Sequence, residues 1–429
     1  MRHLISLLKK ESSLRAWQIS RLEKISNEVY CIGKSTEAVR CNQTVEYSLT
    51  LHTGSKKDVL GESSTVFSPV PGIFTEIISE TQQRASLVEN PAFEFSDPWQ
   101  LPDRTNPIED LSLKDILAEY IETSALDILN MNSEELHGCR LASFEIFAEK
   151  YRKTVVNSKG LELTMPSTRL AWDFVLISPD NQFEINSLLH RRFAKDLPFR
   201  KILQEESKAL LDLQKAALPP TGTFPVILCS EALDTIFDFF TSQANGQSLY
   251  YDTNVISVGQ SIYSEPQNSP STLTIDSDPF LKGGLNSHFF DYLGYPMSQV
   301  RLYDEGTLKN FAIDGKLSCL LKKDMTSAMA NLIVPAGTES VDSWRQNGVI
   351  ELHKFSTFHP NTVSGAFSGE IRLGYLYKDG RKIPLRGGSV AGSSLKAFQN
   401  VKFSREKEKR SAYFGPSALF FQELTIAGE

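Results

Sequence analysis

The sequence predicts an α+β protein, in which a mixed helix and antiparallel-sheet N-terminal part is followed by a large β-rich C-terminal domain. Three observations support this prediction. Apolar and polar residues alternate in several N-terminal segments, as in half-buried strands. Two longer segments repeat apolar residues at helical spacing. Beyond residue 220, glycine recurs about every ten residues between short apolar runs, which is typical of antiparallel strands joined by turns.

Composition excludes several classes of protein. Of the 429 residues, 41% are hydrophobic and 23% charged, so the chain can form ordinary cores and is not disordered throughout. The net charge of -7 argues against nucleic-acid binding through the bulk field. No run of about 18 apolar residues occurs, and we expect no membrane span. The five scattered cysteines form no CxxC pair, and the apolar block at residues 4–8 is too short for a signal peptide, so we expect reduced thiols in a cytoplasmic protein.

The composition divides the chain into four segments. Residues 1–80 are predicted to form an N-terminal α/β subdomain, and residues 81–111 a connector lying over the surface. Its four prolines exclude helix interiors and central strands, and they are Pro91, Pro98, Pro102 and Pro107. Residues 112–219 form a central α+β subdomain that ends at a double proline, because proline disfavours helix in the residue before it. Residues 220–429 form the β-rich C-terminal domain.

Individual elements follow in chain order. A first strand is indicated by the alternation of Val45, Tyr47, Leu49 and Leu51. A helix from Ser112 to about Ile128 begins with a predicted capping box between Ser112 and Asp115. Residues 157–160, Asn-Ser-Lys-Gly, predict a hairpin loop, and a further strand is indicated by Leu170, Trp172, Phe174 and Leu176. A second helix is predicted over residues 199–217, a buried strand over 224–228 and a third helix over 231–241.

The search for catalytic motifs finds no complete site. The seven histidines include no HExxH pair, and neither GxSxG nor GxxxxGK[ST] occurs. As the two ligands of one metal site, His353 and His359 would still need a third donor, which the sequence does not designate. We interpret His137 and Cys139 as a loop histidine beside a buried thiol, and Asp278 before Pro279 as part of a turn.

A series of segments in a fixed order resembles the PmbA/TldD family, cytoplasmic peptidases once called modulators of DNA gyrase. The resembling segments are NSKG at 157–160, LPPTGTFPVIL at 218–228, LTIDSDP at 273–279, FDYLGYP at 290–296, LYDEGTLKN at 302–310, GAFSGE at 365–370 and LTIAG at 424–428. The resemblance implies an α+β N-terminal part and a β-rich C-terminal domain, in agreement with the residue patterns.

The family resemblance also implies two kinds of subunit. The TldD kind carries HExxxH on the helix after the strand that corresponds to residues 224–228, with a later cysteine as third zinc ligand. The TldE, or PmbA, kind lacks these ligands and pairs with TldD in a heteromeric protease that cuts unfolded or leader peptides. Here the corresponding positions fall near Asp238, Phe239 and Gln243, and residues 411–424 contain no cysteine. The resemblance therefore implies a TldE-like subunit without metal or catalytic residues, with zinc expected in a TldD-type partner.

Two other functions are compatible with these residues. One is a stand-alone peptide- or protein-binding module of the same fold. The other is a zinc peptidase with different donors, such as Asp238 with His353 or His359. For the proteolytic complex, residues 363–373 are the predicted substrate cleft, an exposed edge to which an extended peptide adds as a strand. The candidate cleft residues are Gly365, Phe367, Ser368 and Gly369, although the two glycines could equally form turns or a bulge.

Overall fold

The structure is a computed structural model that describes residues 1–54, 56–102, 108–113, 117–264 and 272–428. The helices of these residues are α1 (Arg2–Leu8), α2 (Phe74–Ser86), α3 (Leu117–Leu129), α4 (Phe199–Leu213), α5 (Asp238–Gln243), α6 (Gly246–Tyr250), α7 (Gly315–Leu321), α8 (Val341–Trp344) and α9 (Ser394–Ala397). Short 3₁₀ helices span Leu111–Leu113, Ala194–Asp196, Ser230–Asp234 and Phe398–Asn400.

Strands occupy most of the remaining described chain. The N-terminal strands are β1 (Ala16–Ile32), β2 (Ser35–Thr53), β3 (Val59–Phe67), β4 (Asn90–Pro91), β5 (Arg140–Asn157), β6 (Glu162–Ile177) and β7 (Glu184–Arg191). The C-terminal strands are β8 (Gly222–Cys229), β9 (Ile275–Asp278), β10 (Val300–Asp304), β11 (Thr307–Leu308), β12 (Asn331–Ile333), β13 (Ile350–Pro360), β14 (Ala366–Lys378), β15 (Arg381–Leu385), β16 (Ser389–Ser393), β17 (Lys402–Phe403), β18 (Lys407–Arg410), β19 (Tyr413–Pro416) and β20 (Ala418–Ala427).

The N-terminal half is built on one 7-stranded antiparallel sheet with the order β4-β3-β2-β1-β5-β6-β7. Its centre is the pairing of β1 with β5, which joins residues 1–80 and 112–219 in a single sheet. Helices α3 and α4 cover one core of this sheet, and α1 and α2 contribute to a second. The two predicted subdomains therefore share a continuous backbone hydrogen-bond network.

The predicted connector has more structure than its proline content suggests. Helix α2 extends into its first residues, and β4 adds a short edge strand to the sheet. Beyond β4, Phe93 and Phe95 are buried, and both rings pack against the imidazole of His52 on β2. The segment thus anchors itself by apolar contacts as it crosses the sheet edge. Pro107 lies outside the described residues.

The C-terminal half contains a 6-stranded sheet, β11-β10-β9-β12-β19-β18, and a larger sheet, β13-β8-β20-β16-β14-β15. Because β13 also pairs with β14, the strands β13, β8, β20, β16 and β14 form a closed ring. Their inward side chains pack with residues of the 3₁₀ helix at 230–234 and of α5 in one large apolar core. This architecture confirms the predicted α+β class with a β-rich C-terminal domain.

Several local predictions are confirmed. Residues 157–160 turn between β5 and β6, and the four alternating side chains of β6 that begin at Leu170 are all buried. The predicted helix over 199–217 ends earlier, since α4 stops at Leu213. Asp115 of the predicted capping box lies outside the described residues, and Ser112 instead bonds the carboxylate of Asp110. Among the described residues, we find no helix whose length and apolar character would allow it to cross a membrane.

Candidate functional site

The family resemblance implies that the segment after β8 corresponds to the zinc-motif segment of TldD-type subunits. The single helix predicted over 231–241 is wrong, because two short pieces occupy this stretch. Ser230 has a φ of 53°, and a 3₁₀ helix follows over Ser230–Asp234. Thr235 then leaves helical geometry with φ -131° before α5 begins at Asp238. Helix α5 therefore starts at the first of the three positions that correspond to the zinc motif.

Phe239 and Gln243 of α5 are committed to packing and internal hydrogen bonds. Phe239 is 0% exposed, and its ring lies edge-on to that of Phe240, 5.3 Å between centroids. Gln243 is 1% exposed, and its amide Nε2 donates to the Thr362 carbonyl oxygen at 3.0 Å. Its Oε1 accepts a hydrogen bond from the Val255 backbone N–H. A buried phenyl ring and an amide with both ends bonded do not fit a zinc ion.

Asp238 is the one ionisable group at these three positions. It is half-buried, and desolvation raises its pKa to about 6, an effect that the nearby His359 opposes and Asp234 reinforces. A perturbed carboxyl group in a cleft is a common feature of functional sites, but structural burial produces the same shift. Among the described residues, neither Asp238 nor His359 belongs to a cluster of three side chains that could hold a metal ion. His353, the other proposed donor, lies in a different cluster.

The structure brings the zinc-motif positions and the predicted cleft residues together. Gly365 has a φ of 73°, and a side chain at this position would meet the Phe239 ring at 3.2 Å. The preceding turn carries Thr362, whose carbonyl oxygen accepts the Gln243 amide. Asn361 closes the same turn by accepting hydrogen bonds from the next backbone N–H groups. At the positions that the resemblance assigns to the zinc motif, the side chains of this chain therefore support the turn that leads into β14.

The prediction of an exposed strand edge at residues 363–373 is wrong. Phe367, Ser368 and Gly369 lie on β14, which pairs with β16 on one side and β13 on the other. The closed ring leaves no free row of backbone groups there for a peptide to join. Phe367 is buried in the core, and a side chain at Gly369 would meet Phe358 at 2.6 Å. Of these three β14 residues only Ser368 faces outward, and its contact with substrate stays a prediction.

A second cluster lies on the outer face of the same ring. Cys229 ends β8, while Glu351 and His353 lie on β13, and one polar atom from each falls within 4.8 Å of the other two. Glu351 is 1% exposed and accepts hydrogen bonds from Arg345 Nε at 2.9 Å and Nη2 at 2.8 Å. It also accepts from the Tyr377 hydroxyl at 2.5 Å and contacts His353 Nε2 at 3.1 Å.

The electrostatics of this cluster favour charged groups. Burial by itself raises the pKa of Glu351, but hydrogen bonds from His353 and Arg345 outweigh it and hold that pKa well below its usual range. Burial lowers the pKa of His353, but its contacts with Cys229 and Glu351 outweigh burial and raise it. The cluster therefore stabilises an ionised carboxylate next to an imidazolium.

Sequence reasoning did not identify Cys229 or Glu351. The available signal is an acidic residue alternating with apolar ones in a strand, since Ile350 and Leu352 face the core on either side of Glu351. Such an inward-outward alternation places Glu351 and His353 on one face. It does not reveal that β8 is the parallel neighbour of β13, which is what places Cys229 beside them.

Comparisons with known proteins agree with this architecture. Residues 221–428 match the family model of the PmbA/TldA metallopeptidase C-terminal domain. An uncharacterized protein of Methanocaldococcus jannaschii is 23% identical over 365 residues, which cover 79% of this chain and 82% of that protein.

Solved structures resemble the whole chain. The crystal structure of TldE from Thermococcus kodakarensis superposes with a TM-score of 0.83 at 17% identity, covering 100% of both chains. A candidate modulator of a DNA gyrase from Thermotoga maritima gives a TM-score of 0.77 at 16% identity, with 99% of each chain covered. A similar candidate from Bacteroides thetaiotaomicron gives 0.79 at 17% identity, covering 100% of this chain and 98% of that one. At sequence identities of 16–17%, this structural likeness establishes the fold of the chain and nothing beyond the fold.

The fold of this chain, an antiparallel N-terminal sheet followed by a closed ring of strands, is thus similar to the fold of TldE from Thermococcus kodakarensis. The matching C-terminal domain and the fold together place the chain in the PmbA/TldD family.

Proposed function

We propose that this chain is a TldE-like, non-catalytic subunit that pairs with a TldD-type HExxxH metallopeptidase subunit and shapes its substrate channel. The proposal rests on the burial and hydrogen bonding of the side chains at the zinc-motif positions. Phe239 lies in the core, and both ends of the Gln243 amide are bonded to backbone groups. Neither side chain can bind a metal ion or activate water without unfolding its surroundings.

The substrates in this proposal are unfolded or leader peptides, and the zinc belongs to the partner. Because β14 has no free edge, we do not assign peptide binding to strand addition there. The outward-facing Ser368 and the turn supported by Gln243 are the parts of this chain that we propose to line the channel. The five cysteines are all unpaired, which is compatible with the reducing cytoplasm.

Reconstitution tests the proposal. The purified chain, a cognate HExxxH subunit and their mixture are each incubated with an unfolded protein and a set of unstructured peptides, and the products are measured by mass spectrometry. We expect cleavage by the mixture and none by this chain alone. Replacing the glutamate of the partner's HExxxH motif by Gln should abolish the activity of the mixture.

The control variant is Asp238→Ala, which removes the one ionisable group at the zinc-motif positions. We expect it to assemble with the partner and to leave cleavage within about twofold of the unmodified mixture, because no metal-activated water depends on it. Cleavage by the isolated chain that is lost in Asp238→Ala would contradict the proposal and favour a peptidase with different donors.

A further inference from the structure

The cluster of Cys229, Glu351 and His353 follows from the way in which two strands pair. In the parallel register of β8 and β13, Leu228 lies opposite Leu352, and both face the core. One residue further along, each chain points its side chain to the opposite face, which brings Cys229 next to His353. Cys229 is separated from Glu351 by 122 positions and from His353 by 124 positions in sequence, yet the three side chains meet on the outer face of the ring.

The hydrogen-bond pattern of Glu351 argues against a metal ion at this place. Both carboxylate oxygens are occupied, one by Arg345 Nη2 and His353, the other by Arg345 Nε and the Tyr377 hydroxyl. A cation bound to this carboxylate would displace a bidentate guanidinium or lie beside its positive charge. What remains is a thiol beside an imidazolium that a carboxylate holds in place, and a neighbouring imidazolium is typical of an activated cysteine.

We infer that Cys229 is a reactive thiol and a covalent modification site for low-molecular-weight disulfides. The His353 imidazolium, held by Glu351, stabilises the Cys229 thiolate, whose proton passes to water. The thiolate then attacks one sulfur of the disulfide. A new S–S bond forms to Cys229 as the original S–S bond breaks, and the departing thiolate takes a proton from water. The disulfide is itself the oxidant, so no other reagent is required.

The surroundings of Cys229 give a small molecule access to the sulfur. A cavity of about 320 Å³ reaches Cys229 and is lined by polar groups, among them Ser230, Ser340, Asp342 and Arg345. Cys229 itself is 6% exposed, so a small reagent must enter this cavity to reach the sulfur.

The activation depends on His353 because the two other groups near the sulfur, the Glu351 carboxylate and the Leu352 carbonyl oxygen, both oppose a thiolate. Cys229 Sγ lies 3.2 Å from the Leu352 carbonyl oxygen, to which a protonated thiol donates. A carbonyl oxygen repels a thiolate, so without the imidazolium we expect Cys229 to behave as an ordinary buried thiol.

Cys139 provides a matched control within the same chain. It is 3% exposed, also lines a cavity, and its Sγ donates to the Ser207 carbonyl oxygen at 3.6 Å. The nearby His137 ring bonds the Ser207 hydroxyl rather than this thiol, and burial raises the pKa of Cys139. The two cysteines therefore have similar burial and backbone contacts, and they differ in the imidazole and carboxylate.

The experiment incubates the full-length chain with glutathione disulfide and, separately, with iodoacetamide, and measures modification of each cysteine by peptide mass spectrometry. Near pH 7 we expect Cys229 to react at least about tenfold faster than Cys139 with both reagents. His353→Gln should slow Cys229 by at least about tenfold and leave the rate of Cys139 unchanged.

Circular dichroism and thermal unfolding verify that the variant is folded. If His353→Gln does not fold, the comparison of Cys229 with Cys139 in the unmodified chain decides the question. Equal rates for the two cysteines, or a folded His353→Gln variant with an unchanged Cys229 rate, would overturn the inference. One tightly bound zinc ion per chain that is lost in His353→Gln would overturn it in favour of a metal site.

Discussion

His52 should make the stability of the N-terminal half depend on pH. Its side chain lies on β2, 1% exposed, stacked on Phe95 at 4.3 Å between ring centroids and edge-on to Phe93 at 4.7 Å. Its Nε2 has no hydrogen-bond partner. Burial, together with the positive charges of Arg15 and Lys316, lowers the pKa of His52 from 6.5 to about 4. The folded state therefore holds a neutral imidazole that the unfolded chain protonates more readily.

The sign and size of the effect follow from these two pKa values. Above about pH 6.5 the histidine is neutral in both states, so the contribution to stability is complete. As the pH falls, protons bind the unfolded state first, and stability declines until about pH 4. At about pH 5 the free energy of unfolding should be about 2 kcal/mol lower than at about pH 8 through His52 alone. The limiting loss below pH 4 is about 3.4 kcal/mol.

Urea unfolding at a series of pH values measures this contribution when it is compared with His52→Leu. The variant keeps an apolar side chain between the two phenyl rings but has no titrating group. The carboxylates of the chain titrate in both proteins, so the difference between the two pH profiles isolates His52. We expect that difference to grow by about 2 kcal/mol from about pH 8 to pH 5. Parallel profiles would refute the assignment of a neutral, desolvated imidazole.

Three further predictions concern the C-terminal domain, each measured by chemical unfolding. Gly369→Val should destabilise the fold by about 3 kcal/mol or more because its side chain would overlap Phe358. Ser368→Val, on the outward face of β14, should change the free energy of unfolding by less than about 0.5 kcal/mol. Equal effects of the two variants would contradict the inward orientation of position 369 and the outward orientation of position 368. Phe239→Ala should lower the free energy of unfolding by about 3–5 kcal/mol, and Phe239→Leu by less than about 1.5 kcal/mol. A small decrease for Phe239→Ala would mean that Phe239 is not a core residue. Asp238→Asn should stabilise the fold by about 1–3 kcal/mol near pH 7, because burial raises the pKa of Asp238 and the ionised form is disfavoured. This gain should vanish by about pH 4, where the folded state binds the proton, and a gain that persists there would have another cause.

The stability predictions bear on the proposed function as well. Gly365 and Gln243 connect α5 to the turn before β14, so variants that unfold this contact should also reduce assembly with a partner subunit. Asp238→Asn is expected to increase stability and leave cleavage by the mixture unchanged. A stabilised variant without activity would indicate that the ionised carboxylate has a role in the channel.

Local structure was largely predictable from the sequence. The turn at residues 157–160 and the buried side chains of β6 depend on turn chemistry and on alternation, which neighbouring residues determine. That Asp238, Phe239 and Gln243 stand where catalytic subunits carry the zinc motif is what the family resemblance implies. The helix predicted over 231–241 failed because apolar spacing alone does not reveal the break at Thr235.

The sequence by itself determined the α+β class and the β-rich C-terminal domain, and the family resemblance implied that metal-binding side chains are missing at the zinc-motif positions. The tertiary structure decided which strands are neighbours. It closed β14 between β13 and β16, which removed the expected peptide-binding edge, and it placed β8 beside β13, which joined Cys229 to His353 and Glu351. Alternation in a strand specifies which side chains share a face, because successive side chains point in opposite directions. It carries no information about the partner strand, since pairing across more than a hundred residues is selected by the packing of the complete core.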